Sequence, residues 1–223
     1  MTDQNTTNPD AHLAFEPFVR HFGDAVTLYL ADCTTLLPLP CDLVITDPPY
    51  GTGVAPKGGA KAGSIREGSG FVPDWDRYDP AWMGLVDVPA AVFCGQATIF
   101  QTARDLGADG MLVYAKSNPS PFGTSWEPCL TRGWKRPRQR QHWHGYNAEN
   151  GQEHPTQKPL ALMEWIVSVA PHGRVCDPFM GSGTTGVACV NLGRQFVGVE
   201  RDPGYFAVAC RRIEDAMRQA RLF

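Results

Sequence analysis

The sequence predicts an α/β fold built on a largely parallel sheet, and three observations carry that prediction. Short apolar runs alternate with stretches of helical periodicity along the chain. One run, Val175-Cys176, ends in Asp177 and turns through Gly181 and Gly183 into a helical stretch. The next, Phe196 to Val199, ends in Glu200, an acid at a strand tip.

In chain order, the first fourteen residues carry no periodicity and read as a frayed tail, with a single domain from residue 15 to 223. Val26–Leu30 and Leu43–Thr46 are apolar and rich in β-branched residues, so they read as strands. Thr52–Asp79 is Gly-rich without periodicity and predicts a long mobile loop. Ala91–Phe93 and Met111–Tyr114 read as strands around a helix from about Thr98 to Leu106. Pro159 suits a first helical position, and the stripe Met163, Ile166, Val167 and Ala170 stops at Pro171 and Gly173. Arg174–Cys176 and Gln195–Glu200 are strands flanking a helix from Thr184 to Leu192. Asp202 and Pro203 cap a last helix with the stripe Phe206, Ala209, Cys210, Ile213 and Met217.

With 43% hydrophobic and 19% charged residues, 223 residues suffice for one ordinary core. No apolar run approaches the ~18 residues of a membrane span, and MTDQNTTNPD lacks a signal-peptide layout. A cytoplasmic protein without membrane contact is expected. The seven cysteines are scattered with no CxxC pair, which favours reduced buried thiols over a disulfide or metal framework. His142 and His144 have no neighbouring Cys or acid to complete a metal site.

The net charge of −3 excludes a uniformly basic nucleic-acid binder. Its distribution is uneven. Between Glu127 and Glu149 there is no acid, while Arg132, Lys135, Arg136, Arg138 and Arg140 cluster there with Trp134, Trp143 and Tyr146 interleaved. Cations with aromatics suit phosphate contact and base stacking, against the plainer alternative of a solvated basic loop. About 123–153 is therefore the candidate DNA-recognition segment.

Two motifs carry chemistry. The turn Asp177-Pro178-Phe179-Met180-Gly181-Ser182-Gly183-Thr184 with downstream Glu200 fits a nucleoside cofactor whose ribose hydroxyls donate to the acid. It is not a triphosphate loop, because Val187 and Ala188 stand after Gly186 where Lys-Ser/Thr is required. An NAD site stays open on spacing alone. Asp47-Pro48-Pro49-Tyr50 follows an apolar strand. Its prolines remove two N–H donors, so the Asp47 carboxylate and the Pro48 carbonyl are two acceptors for one NH₂ group. Accepting both N–H bonds turns the nitrogen lone pair toward an electrophile, and Tyr50 offers a ring for stacking. A rigid turn is the plain alternative; the flanking acid and aromatic argue against it.

These segments resemble the amino-methylating DNA methyltransferases, in the group whose catalytic motif precedes the cofactor motif. TDPPYG (46–51) looks like the catalytic motif, HPTQKP (154–159) like the segment over the cofactor's methionine part, DPFMGSGTTG (177–186) like the cofactor loop and VGVE (197–200) like the ribose-binding strand. The resemblance implies a Rossmann-like fold with a mostly parallel seven-stranded sheet and one reversed strand. It implies S-adenosylmethionine as cofactor, held by Asp177, Pro178, Phe179, Gly181, Ser182, Gly183, Thr184 and Glu200. Asp32 resembles the acid that contacts the adenine, and Thr156 and Lys158 resemble contacts to the cofactor carboxylate. No metal is implied, and pairing into a homodimer would compensate for the small footprint.

The expected reaction is methyl transfer to N6 of adenine in DNA, with the base flipped from the duplex at a cost of a few kcal/mol. Cytosine N4, the same chemistry on a smaller ring, is the nearest alternative; enzymes of that type more often have Ser where Asp47 stands, which favours adenine. RNA or protein amide substrates go with Asn at that position, and carbon-5 methylation needs a Pro-Cys nucleophile that neither Pro40-Cys41 nor Pro128-Cys129 supplies. A catalytically silent DNA-binding module would not need the tetrapeptide.

Overall fold

The structure is a computed structural model and describes residues 17–51, 77–116, 125–134, 142–144 and 157–220. In chain order the elements are β1 (Phe18–Phe22), β2 (Val26–Leu30), β3 (Leu43–Thr46), β4 (Ala90–Phe93), α1 (Ile99–Leu106), β5 (Gly110–Lys116), β6 (Trp126–Arg132) and β7 (His142–His144). They continue with α2 (Leu160–Val169), β8 (Val175–Asp177), α3 (Thr184–Asn191), β9 (Phe196–Glu200) and α4 (Pro203–Ala220). The expected loop at 52–79 falls outside the described residues up to residue 76.

Among the described residues the strands form one sheet in the order β1-β2-β9-β8-β3-β4-β6-β5-β7. The seven from β2 to β5 are the expected Rossmann-like sheet: all run parallel except β6, which is antiparallel to β4 and β5. Two edge strands bring the total to nine. β1 returns antiparallel on β2, and β7 adds parallel to β5. The expected seven strands with one reversed strand are thus present, and the antiparallel β1 and the parallel β7 extend them to nine among the described residues. The edge strands escape a reading by apolar runs because β1 (FVRHF) is largely exposed.

β6 lies inside the segment expected to recognise DNA, yet its interior is buried. Pro128 disguises it, since proline argues against a central strand. Its ring costs one ladder donor, but its carbonyl still accepts from Cys94 N–H at 3.1 Å.

The strand side chains alternate between two cores. Leu43, Ile45, Ala91, Phe93, Val175 and Phe196 pack with Met163, Ile166, Ala188, Phe206 and Ile213 under α2, α3 and α4. Val44, Val92, Cys176, Val197 and Val199 pack on the other face with Trp82, Met83 and Leu106. Burial on both faces explains why these strands read as continuous apolar runs. Five of the seven cysteines are buried in this interior, two are half-buried, and all are free thiols. No described helix is long and apolar enough to cross a membrane.

Candidate active site

Parallel strands deliver their carboxyl ends to one edge of the sheet. β3 lies between β4 and β8, where the chain order reverses, so Asp47 after β3 stands beside the glycine turn after β8. Asp32, after β2, and Glu200, ending β9, share that edge; Ala31 N–H donates to the Glu200 carbonyl at 3.0 Å.

Asp177 is 3% exposed and faces inward. Its Oδ1 accepts from Thr46 Oγ1 at 2.6 Å and Phe179 N–H at 3.1 Å, and its Oδ2 accepts from Thr185 Oγ1 at 2.6 Å. Burial raises its carboxyl to about 6, with the three hydrogen bonds only partly opposing the shift. Asp177, expected as a cofactor contact, thus has both carboxylate oxygens engaged within the protein. Its side chain pins β3, through Thr46, to the glycine turn and α3. Thr46 and Thr185 are the partners that sequence reasoning missed.

The turn that follows needs its glycines. Gly181 and Gly183 have φ of 51° and 80°, and a Cβ on Gly183 would come within 2.9 Å of Ala209 Cβ on α4. Glu200 holds the turn from the next strand: Oε2 accepts from Gly181 N–H at 3.0 Å, and Oε1 from Asp202 N–H at 2.7 Å. Burial raises its carboxyl, with the backbone N–H groups of Asp202, Gly181 and Arg201 opposing the shift. Arg212 of α4, also missed, donates to Ser182 O at 2.7 Å, Ser182 Oγ at 2.9 Å and Thr184 Oγ1 at 3.1 Å, so both hydroxyls are held from the helix side. Pro178 is buried, and the half-buried Phe179 ring packs edge-on against Trp82 at 5.3 Å. Asp32 accepts from Thr34 N–H and Oγ1 at 2.9 and 2.7 Å, which lowers its carboxyl and caps a short turn.

At the tetrapeptide, Tyr50 Oη donates to Asp47 Oδ1. Lys158 Nζ lies 2.6 Å from Asp47 Oδ2 and 3.2 Å from Tyr50 Oη. It also stands 3.1 Å from Glu127 Oε2 and 4.8 Å from the centre of the Phe93 ring. Burial alone would lower the Lys158 ammonium, but Asp47 and Glu127 overcome that and raise it. Burial likewise pushes the Tyr50 phenol up, with the Asp47 charge adding to it. Lys158, expected at the cofactor carboxylate, therefore sits on the Asp47 carboxylate. Pro48 is buried and Pro49 half-buried.

Arg132, expected in the DNA-binding cluster, is engaged inside the protein. It ends β6, the reversed strand, opposite Ala90 at the start of β4. That is the sheet edge away from Asp47. Its guanidinium donates to the carbonyls of Val86, Val88 and Leu106 at 2.6, 2.8 and 3.3 Å. Arg132→Met is expected to cost about 1–3 kcal/mol of stability and to leave the salt dependence of DNA binding unchanged, as thermal melts and titrations at several salt concentrations will show. Lys135, Arg136, Arg138, Arg140 and Thr156 lie outside the described residues.

This site and fold have counterparts among known proteins. A family model described as DNA methylase, of the N6/N4 type, matches residues 92–211. The DNA adenine methyltransferase YhdJ of Escherichia coli K12 is 33% identical over 141 residues, covering 62% of this chain and 45% of that protein. The type II methyltransferase M2.DpnII of Streptococcus pneumoniae is 27% identical, covering 79% of this chain and 84% of that one. The solved M1.HpyAVI complex with S-adenosylmethionine superposes with a TM-score of 0.63 at 27% identity, covering 84% of this chain and 98% of that one.

Proposed function

We propose, from the premise that this chain belongs to the N6/N4 DNA methylase family, that it transfers a methyl group from S-adenosylmethionine to N6 of adenine in DNA. The observation that carries the adenine reading is an aspartate at position 47, seated beside the glycine turn with both oxygens anchored by Tyr50 and Lys158. The similarity to an adenine methyltransferase of E. coli supports it.

The site suits the cofactor by the chemistry of its groups. Glu200 and Asp32 are acceptors at strand tips for hydroxyl and amino hydrogens. No lysine follows the glycine turn to neutralise phosphates. When bound, S-adenosylmethionine supplies an electrophilic sulfonium methyl. Gly181, Ser182 and Gly183 would hold its amino-acid side and Glu200 its ribose.

The chain's own residues do the rest. Each Asp47 oxygen has a lone pair beyond the one given to Tyr50 or Lys158. Asp47 and the Pro48 carbonyl accept the two N–H bonds of the flipped base and direct the nitrogen lone pair outward. Asp47 then takes the proton that the nitrogen sheds on methylation. The Tyr50 ring stacks on the base, worth roughly 1–3 kcal/mol toward the cost of flipping.

Digesting methylated DNA to nucleosides and identifying the modified base by mass spectrometry tests the reading. N6-methyl-2′-deoxyadenosine is the expected product; N4-methyl-2′-deoxycytidine would overturn the choice of base. The basic run is the proposed DNA-binding surface. Neutralising Arg136, Arg138 and Arg140 together should weaken binding and flatten its salt dependence, by about 0.9 in log–log slope for each phosphate that is no longer neutralised. An unchanged slope would move the interface elsewhere.

A further inference from the structure

We infer that Glu127 is a positioning residue for methyl transfer: backed by Lys116, it fixes Lys158 against Asp47. The inference rests on the reading of Asp47 as the acceptor of the amino group.

Glu127 reaches the site because β6 runs backwards. Its second residue therefore lies at the carboxyl edge of the sheet, level with the end of β5. There Oε1 is 2.6 Å from Lys116 Nζ and Oε2 is 3.1 Å from Lys158 Nζ. The side chains are 19%, 15% and 10% exposed, so the pairs are largely shielded from water. Burial opposes the Glu127 charge, yet the two ammonium groups overcome it and hold the carboxyl at about 2. Together with Asp47 this makes two cations and two anions in one connected set of ion pairs among the described residues.

Such a set is costly to assemble in an interior, and hydrophobic side chains would serve the fold as well. Its geometry shows what it does. Tyr50 holds one Asp47 oxygen and Lys158 the other, so the carboxylate cannot rotate without losing a partner. Lys158 itself precedes α2 on a segment without regular structure. Lys158 donates hydrogen bonds to Asp47 Oδ2 and Tyr50 Oη and meets Glu127 Oε2 as an ion pair at 3.1 Å. Glu127 is the member on the far side from the tetrapeptide. Without it, among the described residues, Lys158 keeps only the Phe93 ring besides the groups it has to orient.

The test compares wild type, Glu127→Gln and the double variant Lys116→Met/Glu127→Gln, all as the full chain acting on unmethylated genomic DNA. Glu127→Gln is expected to lower kcat about 100-fold, the scale of a small misplacement at the reacting group. The Kd for S-adenosylmethionine should stay near wild type. The single variant leaves an excess positive charge among these four groups, whereas the double variant balances them and carries the test if the single one folds poorly. Its melting temperature should recover while kcat stays low. The inference is overturned if Glu127→Gln turns over at the wild-type rate, if kcat recovers together with stability, or if cofactor affinity falls in parallel with kcat. A wild-type enzyme that methylates no DNA would sink the proposed function and this inference together. An active wild type with an equally active Glu127→Gln would sink this inference alone.

Discussion

Asp47→Ala is expected to lower kcat for methyl transfer by about 10³-fold, the scale of losing one preorganised polar group at a reacting centre. The substitution removes the amino-group acceptor together with the carboxylate that Tyr50 and Lys158 orient. Cofactor affinity should change little, because Gly181, Ser182, Gly183 and Glu200 are held from α4 and β9 rather than by Asp47. Transfer of a tritiated methyl group to DNA gives the rate, and calorimetry gives the affinity. Turnover within about tenfold of wild type would place the chemistry elsewhere. Normal turnover with lost cofactor binding would make Asp47 a cofactor residue.

Asp177→Ala is expected to destabilise the fold by about 3–5 kcal/mol, since each buried donor left without an acceptor costs about 1–3 kcal/mol. The donors are the hydroxyls of Thr46 and Thr185, themselves buried, and the Phe179 N–H. The loss would loosen the catalytic strand and the cofactor turn at once. Asp177→Asn isolates the charge. The Asp177 carboxyl titrates near 6 in the fold, against an ordinary value of 3.8. The native state thus binds this proton more tightly than the unfolded chain, and the contribution of Asp177 is largest below pH ~4. It falls as pH rises toward ~6, by up to about 3 kcal/mol, and is flat above. The stability difference between wild type and Asp177→Asn should follow that curve in denaturant unfolding from pH 4 to 7.5. A constant difference would mean that the carboxyl is not raised.

The chemistry-bearing motifs were legible because each is contiguous. A strand, an acid, two prolines and an aromatic are read in one pass, and so is a strand followed by a glycine turn. The bounds of β2 and β3 agree with the apolar runs Val26–Leu30 and Leu43–Thr46, since both faces of these strands are buried. The start of α4 was legible for a local reason too: Asp202 Oδ1 accepts from Gly204 and Tyr205 N–H at 2.8 and 2.9 Å.

Elsewhere local composition misled. Arg132 opens a basic cluster in the sequence, but it closes β6 at the wrong edge and spends its guanidinium on three carbonyls. Glu127 looked like the border of that cluster and instead reaches the catalytic edge. Both outcomes follow from the reversal of β6, which Pro128 concealed.

The sequence by itself determined the order of the motifs, the α/β class and the aspartate proposed as the acceptor of the amino group, because these are set by neighbours along the chain. Only the tertiary structure decided which charges face the reaction. Thr46 and Asp177 are 131 positions apart, Lys158 and Asp47 are 111 apart, and Arg212 and Ser182 are 30 apart. Such pairs meet because strand order and direction bring them to one edge, and residue spacing carries no record of that.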